Sequence, residues 1–434
     1  MKISVPELSL VVLIGPSGCG KSTFAAKHFL PTEILSSDRC RAMVSDDEMD
    51  QSATPDAFEV LHLIAARRLA RGRLTVIDAT NTQPAARSSL VKLAREAYLQ
   101  PVAIVFDLPV QLCEERNRGR AERQIPSRSV FLQHSQLERS LHDLQSEGFR
   151  RVFLLRSPEE VEAVTIQRER LRPDRRDDAG PFDIIGDIHG CGDELEELLG
   201  QLGYTCEDGV WRYPTERPEG RKVVFLGDLV DRGPRVPGVL RIAMDMVQAR
   251  TALCVPGNHD DKLKRYLQGK KVRIAHGLEQ SIEQLEDHPP AFRERVLAFL
   301  DSLVSHYVLD SGRLVVAHAG MKRRMQGRSS GRVRDFALYG ETTGESDEFG
   351  LPVRYNWAAD YRGEATVVYG HTPVHRPEWL NNTINIDTGC VFGGALTALR
   401  YPERELVSVP ARRVYCEPKR PFRAVEEPAL DPRL

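Results

Sequence analysis

The sequence predicts an α/β fold in two domains, each built on a sheet flanked by helices. Three observations carry this reading. Short apolar runs alternate with longer helix-periodic segments from the start of the chain. A glycine-rich loop, Gly15-Pro16-Ser17-Gly18-Cys19-Gly20-Lys21-Ser22, joins one apolar run to a helix. After a charged stretch a second alternation begins, and its strand-like runs end in loops holding Asp, Asn and His.

In chain order, Leu8 to Ile14 is the apolar run that enters the glycine-rich loop, and Lys21 onward reads as a helix. Glu33 to Ser36 is a short strand-like step. Pro55 to Arg71 reads as a helix with Leu61, Ile64 and Ala65 among its apolar positions. Leu74 to Ile77 and Val102 to Phe106 are buried-strand runs, and Pro84 suits the first turn of a helix. This first domain is expected over 1–166, as a parallel sheet with helices on both faces. Residues 167–181 are charged and punctuated by Pro and Gly, which predicts an exposed linker. The second domain, 182–410, has strand-like runs at Phe182 to Ile185, Val223 to Leu226 and Ala252 to Val255. Beyond His318 further runs stand at Thr366 to Tyr369, Thr383 to Ile386, Ala395 to Leu399 and Glu405 to Val409. The last stretch, 411–434, holds Pro418, Pro421, Pro428 and Pro432 and is expected to be an extended tail.

Bulk composition excludes several classes. A chain of 434 residues with 41% hydrophobic and 28% charged residues can form two or three cored domains. A formal net charge of −2 gives no global attraction to nucleic acid, so a polyanion site must come from local clustering. The eight cysteines are scattered with no CxxC pair, which indicates neither a zinc-thiolate site nor a disulfide framework; a reducing, cytoplasmic setting is expected. The N-terminus lacks a signal-peptide layout, and no apolar run approaches the roughly 20 residues that span a bilayer.

The glycine-rich loop is a Walker A match in its proper context. Gly15, Ser17, Gly18 and Gly20 let the backbone wrap a phosphate, and the helix N-terminus faces the anion. Lys21 would reach the β- and γ-phosphates of an NTP, with Ser22 holding Mg²⁺ and Thr23 beside it. Asp38, in Ser36-Ser37-Asp38-Arg39-Cys40-Arg41, stands where a carboxylate could take a hydroxyl proton, with Arg41 on a neighbouring phosphate; Asp38 could instead cap a helix. Arg116, Arg120 and Arg123 would share one face of a helix as a lid over the transferring phosphate, or form a solvated basic face. Asp78 ends a strand, and either supports Mg²⁺ through water or caps the next helix.

In the second domain, Asp187, His189, Asp228, Asn258, His318 and His371 are oxygen and imidazole ligands at strand ends, the donor set of a two-metal site in which Asp228 could bridge. The absence of thiolates points to Mn²⁺, Fe or Zn. A basic segment, Lys322-Arg323-Arg324 with Arg328, Arg332 and Arg334, follows His318 and could guide a nucleic-acid backbone or be a solvated loop.

The N-terminal set resembles the 5′-hydroxyl polynucleotide kinases of the P-loop phosphotransferase group, which implies Asp38 as base and Arg41 as the acceptor-phosphate arginine. The blocks Gly186-Asp187-Ile188-His189-Gly190, Gly227-Asp228-Leu229-Val230-Asp231-Arg232-Gly233, Gly257-Asn258-His259-Asp260, His318 and Gly370-His371 recur in the order of the binuclear metallophosphoesterases, whose fold is a calcineurin-like α/β sandwich. That resemblance implies His259 as general acid oriented by Asp231, Arg232 as a bidentate phosphate clamp, and Asp387 as a partner behind the metal ligands. Pro373 stands where one branch has a further histidine, so the block resembles the phosphoprotein-phosphatase-like branch.

Both halves in this order resemble the bacterial polynucleotide kinase-phosphatases of RNA repair. The resemblance implies NTP-dependent phosphorylation of 5′-OH ends with Mg²⁺, and removal of 3′-, 2′- or 2′,3′-cyclic phosphates with two divalent metals such as Mn²⁺. It also implies RNA or DNA ends as substrate, a ligase domain or separate ligase and an RNA 2′-O-methyltransferase as partners, and a homodimer as one assembly. No Lys-x-Asp-Gly motif is present, so end sealing is not expected. The other readings are a small-molecule kinase fused to a protein or dinucleoside-polyphosphate phosphatase, and an NTP-gated regulatory phosphatase.

Overall fold

The computed structural model describes residues 1–119, 125–214 and 220–419. The chain forms two compact units: 1–171 with 328–330, and 172–327 with 331–434.

The first unit is built on a five-stranded sheet, ordered Ile34–Ser36, Thr75–Asp78, Leu10–Ile14, Val102–Phe106, Arg151–Leu155, with every neighbouring pair parallel. Its strands are continuous apolar runs because both faces are covered. Leu10, Val12 and Ile14 pack into one core with Leu61, Ala65 and Leu90, while Val11 and Leu13 face the other way into a core with Phe24 and Phe106. The helix expected at Pro55 to Arg71 runs Thr54–Ala70, and Pro84 opens the helix Pro84–Glu96.

The second unit is a sandwich. One sheet is ordered Ala252–Cys254, Lys222–Phe225, Phe182–Ile185, Ala395–Tyr401, Glu405–Pro410; the other is Trp379–Leu380, Thr383–Asn385, Thr366–Tyr369, Leu314–Val316, Tyr307–Leu309, Asp174–Arg175. Ile184, Val224 and Leu399 of the first meet Leu314, Val316, Val368 and Ile384 of the second in one buried layer. Ile185, Val223 and Phe225 point to the opposite face, against Leu195, Leu199, Val239 and Leu240 of the helices Gly192–Leu202 and Val236–Gln248.

Two expectations change. The stretch 167–181 is not a free linker. Thr165–Glu169 pairs in parallel with Lys2–Pro6, and Asp174–Arg175 adds an edge strand beside Tyr307–Leu309. Backbone pairing orders these charged segments, and Arg168 forms a two-point bond to Glu33 at 2.8 and 2.7 Å. The first residues of the expected tail are also docked: Tyr415 and Cys416 donate backbone N–H bonds to Val391 O at 3.0 Å. Residues 420–434 lie outside the described residues. Among the described residues no helix is long and apolar enough to cross a membrane.

Candidate active sites

The glycine-rich loop leaves the strand Leu10–Ile14 and enters the helix Lys21–His28. Gly18 and Gly20 are left-handed, with φ of 84° and 96°. Lys21 Nζ donates to the carbonyls of Gly15 (2.8 Å) and Pro16 (2.9 Å). The Ser17 N–H donates to Gln133 Oε1 at 2.8 Å, from the helix Ser127–Ser140. Gln133 has no motif around it, and sequence reading misses it. Ser22 and Thr23 are exposed in the first turn of the loop's helix.

Asp38 and Arg41 sit on the helix Ser37–Ser45, which follows the strand Ile34–Ser36, two strands over from Leu10–Ile14 in the sheet. Ser36, not Asp38, caps that helix by accepting from Arg39 N–H. Asp38 is left in the first turn, ion-paired to the buried guanidinium of Arg41, whose other arm donates to Glu48 O at 2.8 Å. Asp78 is buried at the end of Thr75–Asp78, in register with Leu13 on one side and Ser36 on the other. The next helix is capped at Gln83, so Asp78 is not its cap. Arg116 Nη1 comes within 3.7 Å of where a Cβ on Gly20 would stand. Its helix, Val110–Arg118, is capped at Gly119; Arg120 and Arg123 lie outside the described residues.

In the second unit each predicted ligand follows a strand end: Asp187 after Phe182–Ile185, Asp228 after Lys222–Phe225, Asn258 after Ala252–Cys254, His318 after Leu314–Val316, His371 after Thr366–Tyr369. Both sheets thus converge on one place. His189, Asp228, Asp231, Arg232 and His371 all have positive φ, between 46° and 73°. Non-glycine residues adopt this conformation rarely, and such strain concentrates at functional sites.

The structure brings the six residues together. Asp228 Oδ2 lies 3.4 Å from His189 Nε2 and 3.5 Å from His318 Nε2. His318 Nε2 is 3.1 Å from Asn258 Oδ1 and 3.0 Å from His371 Nδ1. The His371 N–H donates to Asp187 Oδ2 at 3.1 Å. Two groups of potential ligand atoms, each within 4.8 Å, share Asp228: one with His189 and His259, the other with His318 and His371. Burial, then the charges of Asp387 and Asp228, hold the Asp187 carboxyl well above the carboxylate range. Burial, then Arg232, holds His189 and His259 well below the usual imidazole value, and burial takes His318 to about 3. Buried acids that resist ionising beside imidazoles that resist protonation match a cluster shaped for cations, which would stabilise carboxylate and neutral imidazole together. Asp187 Oδ1 and His371 Nε2 are buried without a hydrogen-bond partner, as atoms directed at a metal would be. The residues therefore fit a divalent-metal centre.

His259 is engaged differently from the others. Its Nδ1 is 2.5 Å from Asp231 Oδ2, and its Nε2 is 3.0 Å from Arg232 Nη2. Arg232 Nη1 reaches His189 Nε2 at 2.7 Å. Ser281, which carries no motif, donates to Asp231 Oδ1 at 2.6 Å and accepts the Asp231 N–H at 2.8 Å. Asp387 accepts the Gly389 N–H at 3.0 Å, and its charge bears on Asp187. Arg354 is a second residue without a sequence signal: its charge bears on both His318 and His371. The basic segment is partly neutralised, since Lys322 pairs with Glu341, and Arg334 with Asp261 at 2.6 Å. Cys191 and Glu194 form a third buried group with Cys390, which is distant from them in sequence.

Residues 10–151 match the AAA domain family, and residues 180–394 match the calcineurin-like phosphoesterase family. A protein of Anoxybacillus flavithermus named bis(5′-nucleosyl)-tetraphosphatase PrpE [asymmetrical] is 48% identical over 246 residues, which are 56% of this chain and 99% of that one. Its namesake in Bacillus subtilis is 48% identical over 240 residues, 54% of this chain and 97% of the relative. A chain from the structure of the Pnkp1/Rnl/Hen1 RNA repair complex aligns over 58% of this chain and 80% of its own length, with 19% identity and a TM-score of 0.30. Calcineurin-like phosphoesterases use divalent metals, in keeping with the donor set here.

Proposed function

Because the chain belongs to the calcineurin-like phosphoesterase family and carries a P-loop domain ahead of that domain, we propose that it heals nucleic-acid ends. The first unit would phosphorylate 5′-hydroxyl ends from an NTP, and the second would remove 3′-phosphate, 2′-phosphate or 2′,3′-cyclic phosphate. RNA repair is the setting, with joining done by a ligase domain or a separate ligase.

The observation that carries this reading is the Asp38–Arg41 pair, at the same end of the parallel sheet as the loop that would hold the NTP and two strands from the one that enters it. A capping role for Asp38 is taken by Ser36. In the proposed step Asp38 accepts the proton of the 5′-hydroxyl as its oxygen attacks the γ-phosphorus and the bond to the β-phosphate oxygen breaks. Arg41 holds the neighbouring phosphate of the acceptor, and Lys21 and Arg116 neutralise charge on the transferring group.

In the second unit Asp187, His189, Asp228, Asn258, His318 and His371 would hold two divalent ions, with Asp228 shared. Such ions supply Lewis acidity and lower the pKa of water. The chain's own residues do the rest. Arg232 turns from the two imidazoles to clamp the incoming phosphate bidentately, which takes away a cation that disfavours charge on His259; the His259 imidazolium, paired with Asp231, then donates a proton to the leaving oxygen. Asp231, fixed by Ser281, holds the imidazole from behind.

A second reading, hydrolysis of dinucleoside tetraphosphates into unequal products, is favoured by the named relatives at 48% identity. It changes the substrate and leaves the metal centre as described. One experiment separates the readings. The full chain with Mg²⁺ and Mn²⁺ is given γ-labelled ATP with a 5′-OH RNA oligomer, a 3′-phosphorylated oligomer, and diadenosine tetraphosphate. Label transfer together with release of 3′-phosphate supports end healing. Hydrolysis of the tetraphosphate with neither of these would replace it by the second reading.

A further inference from the structure

Arg232 stands beside a group of cations that no carboxylate among the described residues neutralises. In the segment after His318, by contrast, Lys322 is committed to Glu341 and Arg334 to Asp261. Lys262 lies three residues after His259 on the helix Asn258–Leu267, so the two share a face. Its Nζ donates to the carbonyl of Ala275 and ties down the segment that carries Arg273 and His276. That segment is pressed against the phosphate clamp. A Cβ on Gly277 (φ 97°) would stand 2.6 Å from both the backbone N and the Cγ of Arg232. Arg273 and His276 are exposed, and Lys270 and Lys271 lie just before them, also exposed.

Among the described residues none of Lys262, Arg273 and His276 is paired with a carboxylate. The acids that bear on Lys262 are Asp231, engaged by His259 and Ser281, and Glu279. Beyond burial, the charges of Lys419, Lys262, Arg232 and Arg273 hold the His276 imidazole down. An unneutralised cluster beside a phosphate clamp attracts further negative charge. A substrate with a single phosphate would leave it unused.

We propose that Lys262, Arg273 and His276 form a second phosphate subsite beside Arg232, which binds a further phosphate of the same substrate molecule beyond the one under attack. This rests on the phosphoesterase reading and adds to it that the substrate carries at least two phosphates. That phosphate is either the internucleotide phosphate next to a phosphorylated strand end or the adjoining phosphate of a polyphosphate chain.

The test uses the full chain with Mn²⁺ at fixed free concentration. Wild type, Arg273→Ala, Arg273→Lys and Arg273→Ala/His276→Ala are compared on p-nitrophenyl phosphate, a 3′-phosphorylated oligonucleotide and diadenosine tetraphosphate. The expected result is a selective loss. On one or both multiphosphate substrates kcat/KM falls about tenfold in the alanine variants, mainly through KM, with partial rescue by lysine, while p-nitrophenyl phosphate changes little. The substrate that suffers identifies the source of the second phosphate. An equal fall on all three would mean a structural role and overturn the proposal. Should neither nucleotide be a substrate, inhibition of p-nitrophenyl phosphate hydrolysis decides. Pyrophosphate is then expected to bind more tightly than orthophosphate and to lose that advantage in the double variant; equal inhibition constants in wild type would overturn the subsite whatever the natural substrate.

Discussion

His259 faces Arg232 through one nitrogen and Asp231 through the other, with Asp231 itself held by Ser281. On the proposed mechanism this chain of contacts makes Asp231 a positioning residue. In Asp231→Asn the amide can present its N–H₂ to Nδ1 and favour the wrong tautomer, so phosphatase kcat is expected to fall at least about 100-fold. Manganese content, read by atomic spectroscopy, should stay at the wild-type level; a loss of metal would make Asp231 a ligand. Away from the metal centre, His306 is fully buried, with Nε2 accepting the Gly327 N–H at 2.9 Å, and burial takes its pKa from 6.5 to about 3. The folded pKa lies below the unfolded one, so acid favours the unfolded chain. Its contribution is whole above pH 6.5 and is lost as pH falls toward 3. Between about pH 7.5 and about pH 5.5 it should remove about 1.4 kcal/mol. Urea unfolding of the phosphoesterase unit should show that loss in wild type and a shallower one in His306→Asn. Asp187, His189 and Asp228 were legible because motif spacing names them. Ser281, Gln133 and Arg354 were not, because each reaches its site only through the fold.

Strands with fully apolar faces were read correctly, since each buried aliphatic side chain is worth roughly 1.5–3 kcal/mol and leaves a hydropathy signature. Thr165–Glu169 has no such signature; its alignment with Lys2–Pro6 rests on backbone bonds and on Arg168–Glu33, so its part from Gln167 on read as linker. The lid reading meets another limit: Arg116, Arg120 and Arg123 have helical spacing, and of the three only Arg116, in the last turn of Val110–Arg118, lies among the described residues. At the metal centre, element packing sets a sharper constraint. The strand-end turn at Gly257 touches the turn at Asp228 so closely that a Cβ would stand 2.0 Å from Asp228 Oδ1 and 2.3 Å from its backbone N. Gly257→Ala must therefore push the two turns apart, although Gly257 itself has an ordinary φ of −87°. The expected outcome is a fall of about 100-fold or more in phosphatase activity together with weaker Mn²⁺ retention, with unfolding of the P-loop unit unchanged. Full activity with two retained ions would show that the turns yield without displacing the carboxylate.

At the scale of the whole molecule, the two chemistries stand on separate cores. Leu10, Val12 and Leu61 belong to one buried cluster and Ile184, Val224 and Val316 to another. The Walker lysine and the aspartate–histidine centre fall in different compact units and have no residue in common. A P-loop domain and a phosphoesterase domain in one chain could add and remove the same phosphate in a futile cycle, or act on two phosphates of one substrate pool. Separate sites permit the second outcome, and mutation can tell the two apart. Lys21→Ala removes the ammonium that would meet the β- and γ-phosphates and should reduce 5′ phosphorylation by at least about 100-fold. Asp187→Ala removes a metal ligand and should do the same to phosphate release. Each variant should keep the other activity within about twofold, since mutations with no shared partners act independently. In a coupled assay the phosphorylated 5′ end made by Asp187→Ala should then survive unchanged when wild-type protein is added without NTP. If the wild type instead strips that 5′ phosphate, the two halves oppose each other on one site, and the assignment of separate ends fails while the metal chemistry stands.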